Sequence, residues 1–237
     1  MYPKITIKEL RSLNLEGGYL IDGFPSVGLS SVIATESMMN ASQFKLAGIV
    51  DSDIFPPISL IKNGKPNFPA RLFVNDDIKV AAFLSHIAVE GSLHKIIAKK
   101  MLSWAKKEKI SLIVSSVPVK STENKDEVLV VGSTENSRKK IKELGLKTLE
   151  NGTVPGIPGV LLNEGSLNQQ DVIVILFSSD GTSPDFRSSA KLCMVMSQLI
   201  PGTSCDIVSL QKEAEKVEQV IKTDVDEARH LQDSMYR

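Results

Sequence analysis

Two histidines and a glutamate, two glycine-rich turns and the last three residues are the places where this chain could do chemistry. His86, Glu90 and His94 recur at four-residue steps. On a single helix that spacing would turn two imidazoles and a carboxylate toward one metal ion. His86, however, directly follows an apolar run that reads as a strand, and Glu90-Gly91-Ser92 reads as a helix start with Ser92 as its cap. The three side chains then fall on different elements, and no metal site is expected. Gly23-Phe24-Pro25-Ser26-Val27-Gly28-Leu29 is a turn that could offer backbone N–H groups and a positive helix end to an anion. It carries neither the Gly-Lys-Ser/Thr of a P-loop nor a G-x-G-x-x-G, so a tight strand-to-helix connection is expected, with a phosphate site as the alternative. Pro155-Gly156-Ile157-Pro158-Gly159 poses the same choice. The chain ends on Met235-Tyr236-Arg237. An apolar residue, an amphipathic ring and a free carboxylate suit docking into a slot closed by a lysine or by backbone amides.

The elements that hold these residues follow from periodicity. Tyr19-Leu20-Ile21-Asp22 reads as a strand leading into the first turn, after which residues 30–39 carry small and apolar residues at helical spacing. Residues 45–54 and 58–61 read as strands, and Asn63-Gly64-Lys65 as a turn leading into Arg71-Leu72-Phe73-Val74. Phe55-Pro56-Pro57 and Asn67-Phe68-Pro69 keep this excursion extended and set apolar rings at the surface or under a neighbouring subunit. Residues 79–85, 111–117 and 171–178 read as buried strands. Residues 92–107, 135–144 and 184–199 read as helices, the second ending at Gly145 and the third capped by Ser183 with Pro184 at its first position. Alternation of apolar strands with amphipathic helices predicts a layered α/β domain on a largely parallel sheet. The two glycine turns could then face each other at the sheet edge, where open α/β folds bind ligands.

From Leu210 the apolar residues recur as Ala214, Val217, Ile221, Val225, Ala228 and Leu231, a narrow seam on one helical face among charged and amide residues. Such a seam packs on one surface or one sister helix, and the helix is expected to leave the body. The expected division is a core over residues 1–207 and a C-terminal helix with its tail over 208–237. With 28 basic and 28 acidic residues among 237, the chain has no global field to draw nucleic acid or an anionic membrane. Cys193 and Cys205 lack C-x-x-C spacing, and no signal peptide or long apolar run stands out. A soluble, cytoplasmic, reduced protein is expected.

Together Gly23-Phe24-Pro25 with Gly28-Leu29, Pro155-Gly156-Ile157-Pro158-Gly159-Val160-Leu161-Leu162, and Pro184-Asp185-Phe186-Arg187-Ser188-Ser189-Ala190 resemble the proteasome assembly chaperone 2 family, particularly its archaeal members, in order and spacing. Cys205-Asp206-Ile207, Leu210, Glu213-Ala214-Glu215 and Glu218 are similar to the segment that leads into that family's last helix. The resemblance spans about residues 15–221. It implies a three-layer α/β/α fold similar to purine nucleoside phosphorylases, with an extended C-terminal helix. It also implies homo-oligomers that bind proteasome α subunits without ATP hydrolysis and without a cofactor, and Met235, Tyr236 and Arg237 as the docking tail. Pro155 to Gly159 departs from many relatives, which carry a small residue after the first turn. Fold likeness licenses no chemistry, and no catalytic nucleophile, base and orienting acid can be assembled from the sequence. The competing expectation is a nucleoside or phosphorylated small-molecule binder or enzyme, using Gly23, Pro25, Gly28, Pro155, Gly156 and Gly159.

Overall fold

The computed structural model describes residues 4–25, 29–87, 89–119, 127–179 and 185–214. In chain order these form β1 (Thr6–Glu9), β2 (Tyr19–Gly23), α1 (Ser30–Ala41), β3 (Lys45–Asp51), β4 (Leu60–Lys62), β5 (Lys65–Asn67), β6 (Ala70–Asn75) and β7 (Val80–Ser85). There follow α2 (Gly91–Lys107), β8 (Leu112–Val119), β9 (Val128–Gly132), α3 (Glu135–Glu143), α4 (Gly156–Asn168), β10 (Asp171–Ser178) and α5 (Phe186–Leu199). Residues 207–214 are again helical. Gly28, the polar stretch before β9, Ser183 and Pro184 at the start of α5, and Met235 to Arg237 lie outside the described residues.

Eight strands make one sheet in the order β1-β3-β6-β7-β2-β8-β10-β9. The central strands β7, β2, β8 and β10 are parallel, whereas β1, β3 and β6 on one side and β9 on the other pair antiparallel. The sheet is therefore mixed, not largely parallel. Short connections such as Asp76 to Lys79 between β6 and β7 admit only a hairpin, and a parallel partner would have needed a crossover.

The near-continuous apolar runs of the central strands follow from burial on both faces. Leu20, Phe83, Ile113 and Val174 face one layer with Leu93, Ile97, Met101 and Trp104 of α2 and Ile157 and Leu161 of α4. Their neighbours Ile21, Leu84, Val114 and Ile175 face the other, with Met38 of α1, Ile141 of α3 and Leu192 and Met196 of α5. Three layers, α/β/α, result. The Phe83 and Trp104 rings meet edge to face at 5.2 Å, and Trp104 Nε1 donates to Glu9 at 2.9 Å, tying the edge strand β1 to α2. No described helix is long and apolar enough to cross a membrane.

Several local expectations give way to better-satisfied alternatives. Helix α2 begins at Gly91 behind Glu90, without a side-chain cap from Ser92. Helix α5 is capped by Asp185, whose carboxylate accepts from the Ser188 N–H at 2.9 Å. The stretch after Pro155 is a helix, α4, that buries Ile157, Pro158, Gly159, Leu161 and Gly165. The turn at Asn63-Gly64 closes a separate β4–β5 hairpin, ahead of β6.

The cysteines are not reduced: Cys193 and Cys205 form a disulfide with their Cα atoms 6.0 Å apart. The Pro201-Gly202 turn, with Gly202 at φ +82°, brings the chain back along α5 and places Cys205 over Cys193. The bridge fastens the start of the 207–214 helix to α5, and Leu210 and Ala214, the first two residues of the apolar seam, are buried against the body. Closing a 12-residue separation should contribute about 2 kcal/mol. Reductant is therefore expected to lower the melting temperature of the parent protein by several degrees and to leave that of a Cys193→Ala, Cys205→Ala variant unchanged, as read by circular dichroism.

Candidate functional site

The four parallel strands end on the same edge of the sheet, so β2 and β8 deliver their polar residues to one place. Asp22 is the charged residue of an otherwise apolar strand and is only 4% exposed. Its Oδ2 accepts from Ser115 Oγ at 2.7 Å and its Oδ1 from the Phe24 N–H at 3.1 Å. Burial pushes its carboxyl up to about 6, against the opposing pull of these two donors and of nearby His94. Gly23 is required by crowding: a Cβ there would lie 2.4 Å from the Phe83 carbonyl oxygen. Pro25 follows, buried, and carries the chain toward α1. On the other face of the sheet, Ser116 Oγ donates to Ser31 Oγ at 2.8 Å, and Thr35 Oγ1 donates to the Ser31 carbonyl at 2.8 Å.

The second turn reaches the same end. Pro155 is the residue before α4, and Gly156 takes φ +74°, a conformation few side-chain-bearing residues adopt. A Cβ on Gly156 would sit 3.7 Å from His94 Nδ1, so the imidazole lies directly against this glycine while its charge also acts on Asp22. Gly159 is more confined still: its Cβ would be 2.0 Å from the Val154 carbonyl oxygen. Gly23, Pro25, Pro155, Gly156 and Gly159 are thus gathered at one end of the sheet, with His94 and Asp22 beneath.

The hydrogen bonds within this cluster are those of a fastened polar layer. Ser115 donates to the Asp22 carboxylate, not to an imidazole, and His94 Nε2 meets the Val89 carbonyl at 3.1 Å. No hydroxyl is paired with a base that could take its proton. The other histidine is elsewhere: His86 Nε2 meets Glu36 Oε1 at 3.1 Å, across from α1, and this bond holds the Glu36 carboxyl below the usual range. Glu90 precedes α2, so His86, Glu90 and His94 have separate surroundings. Among the described residues no three metal-ligating side chains come together. Asp22 with Ser115 and Glu36 with His86 were not singled out from the sequence. The one available signal was Asp22 itself, a carboxylate closing an apolar run.

The whole chain can be placed among known proteins. Residues 20–224 match the sequence profile of the PAC2 family. An uncharacterized protein of Methanocaldococcus jannaschii is 25% identical over 222 residues, 94% of this chain and 91% of that one. The crystal structure of Pyrococcus furiosus PbaA, an archaeal homolog of proteasome-assembly chaperone, superposes with a TM-score of 0.84 at 27% identity, covering 98% of this chain and 96% of PbaA. Pyrococcus furiosus PbaB, an archaeal proteasome activator, shares the fold with a TM-score of 0.77 at 19% identity, covering 92% of this chain and 98% of PbaB. With the profile covering most of its length and the fold matching from end to end, this chain belongs to the PAC2 family.

Proposed function

We propose that this protein is an ATP-independent proteasome assembly chaperone or activator that docks on the α ring of the core particle through Met235-Tyr236-Arg237. The observation that carries the reading is the end-to-end match to PbaA, described as a homolog of proteasome-assembly chaperone, within a family whose profile covers residues 20–224. The Cys193–Cys205 bridge and the buried Leu210 and Ala214 support it, since they give the segment leading to the tail a fixed origin on the body.

In this reading Met235 fills an apolar slot, Tyr236 anchors with its hydroxyl at the wet end, and the Arg237 carboxylate pairs with a pocket lysine. One tail buries little surface and binds weakly. Several tails carried by a homo-oligomer make each later contact intramolecular and gain roughly 10²-fold or more in avidity. The action requires binding alone, without a catalytic step or cofactor.

The test is co-sedimentation of the full chain with archaeal proteasome α subunits, beside a variant lacking Met235 to Arg237. Binding by the full chain and a loss of roughly 10²-fold or more in the variant is expected. Absence of binding by both forms, or equal binding by both, overturns the reading. Adding the protein before or after ring assembly then separates chaperone from activator.

A further inference from the structure

The β4–β5 hairpin and its approaches form the most concentrated apolar surface on the chain. Of eleven large hydrophobic residues exposed among the described ones, four fall within fifteen residues: Ile54 (41%), Ile58 (49%), Ile61 (68%) and Phe68 (47%). Together with Phe55 and Pro56 they border an open groove of about 480 Å³ at the foot of the hairpin. Exposed apolar residues gathered in this way mark an interaction surface, whereas scattered ones do not.

The charges around the patch are segregated. Asp51 and Asp53 rim the groove at the foot, and Lys62 and Lys65 face each other across the hairpin tip. Asp53, Lys62 and Lys65 form no ion pair among the described residues. Foot and tip are separated by three strand residues, roughly 10 Å. A partner that satisfies both must present acid at one end and base at the other, with apolar side chains between, over the same span. A second copy, turned end for end, does so.

The hairpin also has one edge suited to pairing. Its strands bond only to each other, so each leaves an outer edge open among the described residues. On β5, Pro66 has no N–H to give, which blunts that edge. On β4, Leu60-Ile61-Lys62 has no proline, and its central residue is the most exposed of the four apolar side chains. Lysines at a strand edge ordinarily discourage pairing, but an antiparallel β4–β4 contact carries each lysine toward the other copy's acidic foot.

We propose that the 51–69 excursion is a self-association face, at which two copies meet about a two-fold axis near Ile61. Their β4 strands lie antiparallel, and the Lys62 and Lys65 tip of each reaches the Asp51 and Asp53 foot of the other. This contact does not depend on tail docking.

Molar mass by light scattering and sedimentation velocity tests it on the full chain, with circular dichroism melting as the check on folding. The parent is expected at a multiple of its 25.8 kDa chain mass. Lys62→Glu with Lys65→Glu, and separately Asp51→Lys with Asp53→Lys, are each expected to weaken self-association about tenfold or more, because like charges then oppose each other. All four exchanges in one chain restore the opposed pairs and the parent mass. Ile61→Asp, which leaves the tip and foot charges in place, is expected to dissociate the contact as well. A parent that is monomeric, folded charge variants with the parent mass, or a folded four-fold variant that stays dissociated overturns the proposal. The chain lacking Met235 to Arg237 keeps the parent mass, so failure of this contact and failure of tail docking are read separately.

Discussion

Gly159→Ala is expected to destabilise the protein by at least about 3 kcal/mol and to lower its melting temperature by roughly 6 °C or more. The reason is geometric. Gly159 is the fourth residue of α4 and fully enclosed, and an added Cβ would stand 2.0 Å from the Val154 carbonyl oxygen and 3.0 Å from the carbon of the same group. Both neighbours are backbone, so no side chain can swing away; either α4 shifts along the sheet or the Val154 peptide turns. The ordinary effect of alanine for glycine inside a helix is stabilising, by roughly 1 kcal/mol. The sign of the change is therefore the diagnostic. Gly91, the first residue of α2, has nothing within 4 Å of the place an alanine methyl would take and a conformation open to alanine, so Gly91→Ala should be neutral or slightly stabilising. Urea unfolding of both variants checks the pair. A Gly159→Ala protein as stable as its parent would mean that the Val154 to Gly159 turn has room that the packing described above denies it.

What the sequence discloses and what it withholds divide along physical lines. The central strands are legible because burial on both faces leaves apolar runs, as in Val80-Ala81-Ala82-Phe83-Leu84, and α2 is legible because it buries only one stripe. Helix α4 reads as a turn because Gly156, Pro158, Gly159 and Gly165 are poor helix residues; contact with β10 and α2 overrides their propensity, and the small residues are what permit that close approach. The antiparallel half of the sheet is hidden because strand direction is set by connection lengths and by which edge remains free, neither of which a single strand's pattern records. The polar end of the sheet is half legible. Both glycine turns stand out by composition, but Asp22 with Ser115 and Glu36 with His86 join residues 93 and 50 positions apart and leave no local trace. The disulfide escapes for the same reason: Cys193 and Cys205 read as two apolar-face thiols until the Pro201-Gly202 turn folds one back on the other.

Asp22 sets the second large expectation, a pH dependence of stability with a defined sign. Burial raises its carboxyl from 3.8 to about 6, with Ser115, the Phe24 N–H and His94 offsetting part of the shift. The folded protein therefore keeps this proton up to about pH 6, while the unfolded chain releases it near 3.8. Between those values the native state binds more protons, and stability falls as pH rises. The stabilising contribution is fully present below the unfolded value and is lost as pH rises through the folded one, a change of about 3 kcal/mol. Asp22→Asn cannot titrate. Its stability relative to the parent should rise by about that amount between roughly pH 4 and pH 7, whatever constant offset the amide brings through its altered bonds to Ser115 and Phe24. Glu36, held low by His86, and Asp76, held low by Arg11, impose the opposite trend, but they do so equally in both proteins and cancel in the difference. Urea unfolding of parent and variant across this range supplies that difference curve. A flat curve would show that the Asp22 carboxyl is already ionised at low pH and hence solvated or more strongly paired, and the polar end of the sheet would then be open enough to admit a ligand. A rising curve means that a proton is held in a closed layer beneath the two glycine turns, which fits a scaffold that positions a docking segment and leaves the chemistry to its partner.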